Sequence, residues 1–213
     1  MSRAPRTQAT TGWLGPIACG ALLSASCAAA PTPSPATPAG AQTKPRSLAT
    51  LARYCVVRDA SSLVASAYAL GTRHPISVPA VTGRAWVSRR GQLPERVELD
   101  VDVSSARARS EWLTRLARSA RFLDVRTHPK ARFVGRAIAG HDGVLQLDGV
   151  LTLRGISRPL RVDVRGRRAA AELRAEAAFE LNRHDFGLEP GIPYEWVLSD
   201  AVGVELRVVL HPC

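Results

Sequence analysis

The stretch from Gly143 to Val164, GVLQLDGVLTLRGISRPLRVDV, carries the clearest structural signal in the chain. Apolar residues recur there with a period of two, at Leu145, Leu147, Leu151 and Leu153 and again at Leu160, Val162 and Val164. This period predicts two β-strands, each with an apolar face. The segment 154–159 between them contains a glycine, which tolerates a positive φ, and a proline, which cannot donate a hydrogen bond to a sheet. We therefore predict that the chain reverses in this segment.

The same alternation continues through most of the remaining sequence. Residues 97–103 are the most regular example, with aliphatic side chains on one face and carboxylates on the other. Further strands are predicted at residues 54–59, 63–70, 81–87, 173–181 and 202–210. The exception is residues 110–121, where Ser110 can cap a helix whose Trp112, Leu116 and Ala120 share one side. We expect this helix to pack across an opening of the β-structure or against its flank.

Four segments in the same order resemble the YceI-like family. The string Leu151–Leu160, LTLRGISRPL, resembles the family signature closely. The other three are Phe122–Val125 with His128, Pro129 and Phe133 downstream, then Asn182–Leu188, and then Val197–Val209 around Asp200 and Val202. This resemblance implies an all-β, antiparallel, lipocalin-like β-barrel of about eight strands with one short helix, and an apolar tunnel that holds a polyisoprenoid lipid.

The inward face of such a barrel decides the function. A barrel of about eight strands is either filled by its own side chains or holds one small ligand. A filled barrel would act through its surface, as an envelope stress or interaction domain, and an enzyme of unknown class is the remaining alternative. The residues that we predict to line a tunnel are Leu99, Val101, Phe133, Leu147, Leu151, Val162, Phe179, Val204 and Leu206. Small inward residues such as Gly149, Ala175 and Ala177 leave room for a polyisoprenoid or isoprenoid-quinone lipid. Near the strand ends, His74, Arg84 and Arg183 are candidates for contacting a polar head group.

The N-terminal residues predict export. In residues 1–30, Arg3 and Arg6 precede an uncharged, alanine-rich stretch that ends in small residues, as in a signal peptide or lipoprotein leader. Two modes of cleavage remain open. Residues 22–27, LLSASC, resemble a lipobox that would place a lipid on Cys27, whereas cleavage at residues 28–30 would leave no lipid. We therefore expect a periplasmic or cell-envelope protein, either free or tethered to the membrane through Cys27.

The domain boundaries follow from composition. Residues 31–49 are rich in proline and alanine and almost lack large apolar residues, which is typical of a disordered linker. The remaining 50–213 segment is then one YceI-like β-barrel domain, because it is long enough for one sizeable core.

Two cysteines remain outside the leader, Cys55 near the first strand and Cys213 after the last. In a closed barrel with an even number of antiparallel strands, these positions fall at the same end. An oxidising compartment then favours a disulfide between them, worth about 5 kcal/mol in the chain-entropy model. The alternative is a buried free thiol at Cys55 and a frayed C-terminus.

The formal net charge of +11 does not predict nucleic-acid binding. Arginine supplies 27 of the 29 basic residues and is scattered along the chain, with no basic run interleaved with stacking aromatic residues.

The sequence contains no catalytic constellation. The five histidines show no metal-ligand spacing, and there is no nucleophile elbow or phosphate-binding glycine loop. We therefore predict no enzymatic activity, no metal and no cofactor. For Arg183 and Asp185 we expect a structural role, in which a charge-assisted hydrogen bond fixes a strand end.

Overall fold

The computed structural model describes residues 51–88, 94–189, 191–192 and 194–213, which form a β-barrel with one α-helix. The leader, the proline-rich linker and Cys27 lie outside the described residues. The eleven strands in this part of the chain are β1 Leu51–Val56, β2 Ser62–Ala69, β3 Thr72–Val78, β4 Val81–Ser88, β5 Pro94–Asp102, β6 Arg107–Ala108, β7 Lys130–His141, β8 Val144–Leu153, β9 Ile156–Ala169, β10 Glu172–Asn182 and β11 Ala201–Pro212. Helix α1 is Glu111–Arg118.

The barrel closes through eight antiparallel strands. The hydrogen-bonded order is β1-β4-β5-β7-β8-β9-β10-β11, and β11 returns to pair with β1. This closure confirms the predicted antiparallel barrel of about eight strands. The returning contact is short, since β1 and β11 share three residue pairs whereas β10 and β11 share ten.

At two adjacent positions in the barrel, the place of one long strand is taken by two shorter strands. Strands β1 and β2 both pair along β11, β1 with its C-terminal end and β2 with residues 203–207. Strands β3 and β4 share the next position in the same way, since β3 pairs with β2 and β4 pairs with β1. We call the end that carries Leu51 and Cys213 the floor, and the end that carries the β2–β3 turn and the β8–β9 turn the mouth.

Tight hairpins connect the long strands. The β8–β9 turn consists of Arg154 and Gly155 alone, with φ of 52° and 74°. Two positive φ angles in a two-residue turn match the right-handed twist of the flanking strands. The predicted reversal at 154–159 is therefore too long, because Pro159 already lies in β9, opposite Val150. Proline is tolerated there because β10 pairs with β9 only from Val164 onward, which leaves this part of β9 an edge.

A disulfide joins Cys55 to Cys213, with their Cα atoms 5.7 Å apart. It lies where β1 meets the end of β11, the short contact that closes the barrel. Backbone hydrogen bonds from Val57 N to Val209 O and from Cys213 N to Arg53 O flank the disulfide. The floor is therefore held covalently at the point where the fewest sheet contacts close it.

Helix α1 begins as predicted but buries a different face. The Ser110 hydroxyl accepts a hydrogen bond from Leu113 N at 3.2 Å and caps the helix. Trp112 is 53% exposed, and Ala117 is the buried residue instead. The predicted side of Trp112, Leu116 and Ala120 was therefore wrong, because the helix stops at Arg118 and docks through the small Ala117 against the mouth. No helix within the described ranges is long and apolar enough to span a bilayer.

The apolar core divides into two clusters along the barrel axis. The larger surrounds the floor and includes Tyr54, Val87, Leu173 and Leu210. The smaller lies at the mouth and includes Val103, Leu153 and Phe186.

Candidate functional site

An apolar cavity of about 230 Å³ occupies the barrel interior between the two core clusters. All nine residues predicted to line a tunnel border this cavity: Leu99, Val101, Phe133, Leu147, Leu151, Val162, Phe179, Val204 and Leu206. They do so because strict alternation places each of them on the concave face of its strand. The barrel described here is therefore hollow.

The cavity runs along most of the barrel axis. Toward the mouth its wall includes Phe122, Leu123 and Phe186, and toward the floor it includes Pro94 and Leu210. Charged residues are rare in its wall, and of those among the described residues only Arg183 is buried.

Phe133 lies in the cavity wall on the mouth half of β7. Its strand neighbours across β5 and β8 are Leu99 and Leu151. Its ring lies over two facing glycines, Gly135 and Gly149, because a Cβ built on Gly135 would sit 2.7 Å from ring atoms and one on Gly149 would sit 2.8 Å from Cζ. The space at Gly149, which the sequence suggested was open lumen, is therefore taken by this ring.

The buried Arg183 ties the loop between β10 and β11 to the barrel. Its side chain is only 2% exposed and donates to both carboxylate oxygens of Glu195, at 2.6 and 3.2 Å. It also donates to Asp200 Oδ1 at 3.0 Å and to the Leu188 carbonyl at 3.1 Å. The loop that contains Leu188 and Glu195 is thus fastened across the mouth by one cation.

These contacts shift the pKa of each partner toward its charged form. The hydrogen bond with Glu195 raises the pKa of Arg183. The same hydrogen bond lowers the pKa of Glu195, while a hydrogen bond with His184 lowers the pKa of Asp200. His184 Nε2 lies 2.9 Å from Asp200 Oδ1. Arg183, Glu195 and Asp200 therefore stay charged and hold one another in position.

The structure changes the predicted role of this segment in one respect. Arg183 does make the charge-assisted hydrogen bonds expected of it, but its carboxylate partners are Glu195 and Asp200 from later in the chain. Asp185 contributes its backbone carbonyl, which accepts from Arg158 Nε at 3.0 Å. The sequence did not point to Glu195, because the loop that carries it has no periodic pattern.

The three residues predicted as candidates for contacting a polar head group lie in different parts of the structure. Arg183 borders the cavity, although its guanidinium is already held by carboxylates. Arg84 is exposed on the outer face of β4. His74 lies on β3 and is not part of the cavity wall.

The loop at the mouth also carries exposed apolar side chains. Leu70 in the β2–β3 turn is 82% exposed and Trp196 is 80% exposed. Their loops are joined by hydrogen bonds from Leu70 N to Val197 O at 3.0 Å and from Ser199 N to Tyr68 O at 2.7 Å. The mouth therefore has exposed apolar side chains on its rim.

Among the described residues there is no cluster of histidine, cysteine, aspartate and glutamate side chains that could hold a metal ion. The part of the chain that forms the barrel offers a hydrophobic cavity as its main candidate site.

A family comparison accounts for this arrangement. The model of the YceI-like domain matches residues 56–210, which span nearly all of the barrel. The chain belongs to the YceI-like domain family. A search of the curated proteins found no match.

Solved structures share this YceI-like fold at low sequence identity. BcnA of Burkholderia cenocepacia superposes with a TM-score of 0.66 at 16% identity, covering 72% of this chain and 98% of BcnA. A polyisoprenoid-binding domain from Saccharophagus degradans, implicated in plant cell wall breakdown, gives 0.61 at 17% identity and covers 76% and 99%. The YCEI protein of Campylobacter jejuni gives 0.59 at 13% identity, covering 65% and 84%. These likenesses establish the common fold.

Proposed function

We propose that this YceI-like protein binds a polyisoprenoid or isoprenoid-quinone lipid in its barrel cavity and holds or carries that lipid outside the cytoplasmic membrane. The observation that supports this most directly is the long apolar cavity, whose wall includes almost no charged side chain. A similar fold in Saccharophagus degradans is a polyisoprenoid-binding domain, which is in keeping with this ligand class.

The energetics of such binding need no polar anchor. Each CH₂ group that leaves water contributes about 0.8 kcal/mol. For a large ligand, the favourable binding free energy falls to about 0.3 kcal/mol per heavy atom. A chain of several isoprene units still reaches useful affinity. Cavity length then controls affinity, and a head group at the mouth controls orientation.

The proposed location is the periplasm or cell envelope. The disulfide between Cys55 and Cys213 supports export, because such bonds persist in oxidising compartments. The mass of the mature N-terminus tests the two cleavage modes. A diacylated Cys27 that disappears in Cys27→Ala identifies a lipoprotein tether, whereas a start within residues 28–30 identifies a free protein.

We propose binding without catalysis. The charged groups at the mouth, Arg183, Glu195 and Asp200, are already engaged with one another. Their arrangement fastens a loop of the described chain, and these contacts occupy the three groups. Loss of any turnover on replacing His184 or Asp185 with alanine would instead identify an enzyme.

The decisive experiment is native mass spectrometry of the gently purified protein, followed by organic extraction of what co-purifies. We expect an added mass that extracts as a prenyl lipid. Ala177→Phe fills the cavity, because Ala177 lies in its wall, and should abolish this mass. Ala178→Phe places the same ring on the exposed face of β10 and should leave the mass unchanged.

A protein that stays bare after incubation with polyprenols and quinones would contradict the proposal. Its working surface would then be the barrel exterior and loops, as expected of an envelope stress or interaction domain. Equal lipid loss in Ala177→Phe and Ala178→Phe would also count against the cavity as the binding site.

A further inference from the structure

The cavity wall contains one aromatic side chain whose position depends on two glycines. Phe133 on β7 leans along its own strand toward the floor, over Gly135. Gly135 faces Gly149 across the β7–β8 pair. Without a Cβ at either position, the wall has a shallow recess, and the phenyl ring fills it.

Residues on both sides of Phe133 along the barrel axis border the same cavity. The cavity wall includes Leu153 and Phe186 on the mouth side of Phe133 and Val97 and Leu210 on its floor side. A ring that stood out from β7 instead would project between Leu99 and the opposite wall, because Phe133 faces into the barrel. The cavity therefore extends past Phe133 while its ring lies over Gly135 and Gly149.

We propose that Phe133, seated on the Gly135–Gly149 pair, determines the length of hydrocarbon chain that the cavity accepts. This inference rests on the proposed lipid-binding function and adds the residue that sets its specificity. With the ring folded, a chain reaches past Phe133 to the floor. With the ring displaced, only the mouth half of the cavity accepts a chain.

The two glycines differ in what a methyl group would meet, and this difference makes the inference testable. At Gly135, the closest contacts of an added Cβ are ring atoms of Phe133, which can rotate away. At Gly149, the added Cβ would lie 2.4 Å from the Val134 carbonyl oxygen and 2.7 Å from Gly135 Cα, so the strands themselves must part. Gly135→Ala is therefore the variant that moves the ring and preserves the barrel.

The test is a binding series with geraniol, farnesol, geranylgeraniol and solanesol, measured by native mass spectrometry on the oxidised protein. We expect the wild-type protein to bind tighter as the chain lengthens. In Gly135→Ala, affinity should stop rising at a shorter prenol, with about tenfold loss for each isoprene unit excluded from the cavity. Phe133→Ala should keep the long-chain preference of the wild type, and the double variant Phe133→Ala/Gly135→Ala should recover it, because neither carries the ring.

The outcomes separate this inference from the proposed function. If the wild-type protein binds no prenol, the function itself fails. If the wild-type protein binds the series and Gly135→Ala shows the same length dependence, only the role of Phe133 is overturned. A Gly135→Ala defect that persists in the double variant would also overturn it, because the effect would then come from the strand. Circular dichroism and thermal unfolding of each variant identify a folding defect. Phe133→Ala, which needs no new space, should keep the wild-type length dependence even if Gly135→Ala does not fold, and a loss of that dependence would overturn the inference.

Discussion

Removal of the disulfide is expected to destabilise the barrel by an amount set by the length of chain that it encloses. Cys55 and Cys213 are 158 positions apart, so their bond closes a loop that contains the whole barrel. The chain-entropy model assigns about 5 kcal/mol to a loop of this size. Removal of a native disulfide typically costs about 2 to 5 kcal/mol, so about 3 to 5 kcal/mol is the expected loss for Cys55→Ser/Cys213→Ser.

Urea unfolding of the double variant and the oxidised wild type measures this loss directly. Reduction of the wild type should reproduce it, whereas reduction should leave the double variant unaffected. Hydrogen exchange should accelerate first in β1 and in the C-terminal part of β11, because only three residue pairs close the barrel there. Equal unfolding free energies, or faster exchange that begins at the mouth, would refute the assignment of the disulfide to closure of the floor.

Three further outcomes are expected from the structure. Acidification below the ordinary glutamate pKa of 4.5 should loosen the mouth loop, because the lowered pKa of Glu195 means that its stabilising contact with Arg183 is present above that value and lost as pH falls through the lower one. Hydrogen exchange of the loop against pH measures this, and Glu195→Gln should exchange fast already at neutral pH and lose the pH dependence. Gly149→Ala should cost about 1 to 3 kcal/mol in urea unfolding because it forces strand backbones apart, whereas Gly140→Ala, whose Cβ finds contacts of 3.4 Å or more, should stay close to wild type. Leu173→Ala should cost about 2 to 5 kcal/mol, since this side chain is fully buried and does not border the cavity.

Alternation of residue types was sufficient to predict most of the cavity wall. The concave positions of β5, β8, β9, β10 and β11 follow from a period of two, and eight of the nine predicted lining residues lie on these strands. The ninth, Phe133, lies on β7, which was not predicted as a strand. The facing of Gly135 and Gly149 was not predictable by the same reasoning. The β7–β8 register shifts between Ala137 and Ala139, and a bulge of this kind leaves no mark in a two-residue period.

Other features depended on contacts that are remote in the sequence. Strand β3 was not predicted, because Arg73, His74 and Pro75 resemble a loop, and its place in the sheet comes from pairing with β2. The buried side of helix α1 was decided by the mouth against which it docks. The partners of Arg183 come from an aperiodic loop that reaches back across the barrel end.

The division of one barrel position between β3 and β4 has a consequence for solubility. Within the described chain, the first half of β3 pairs with β2 alone, since the two-residue β6 reaches only Ile76 and Ser77. Such an unpaired edge invites strand addition from another copy during folding and secretion. Pro75 lies on this edge and has no backbone N–H to offer an incoming strand, and the charged Arg73 lies two residues before it. Arg73 and Pro75 therefore oppose aggregation at this edge of β3. The same two residues make the strand difficult to predict from the sequence.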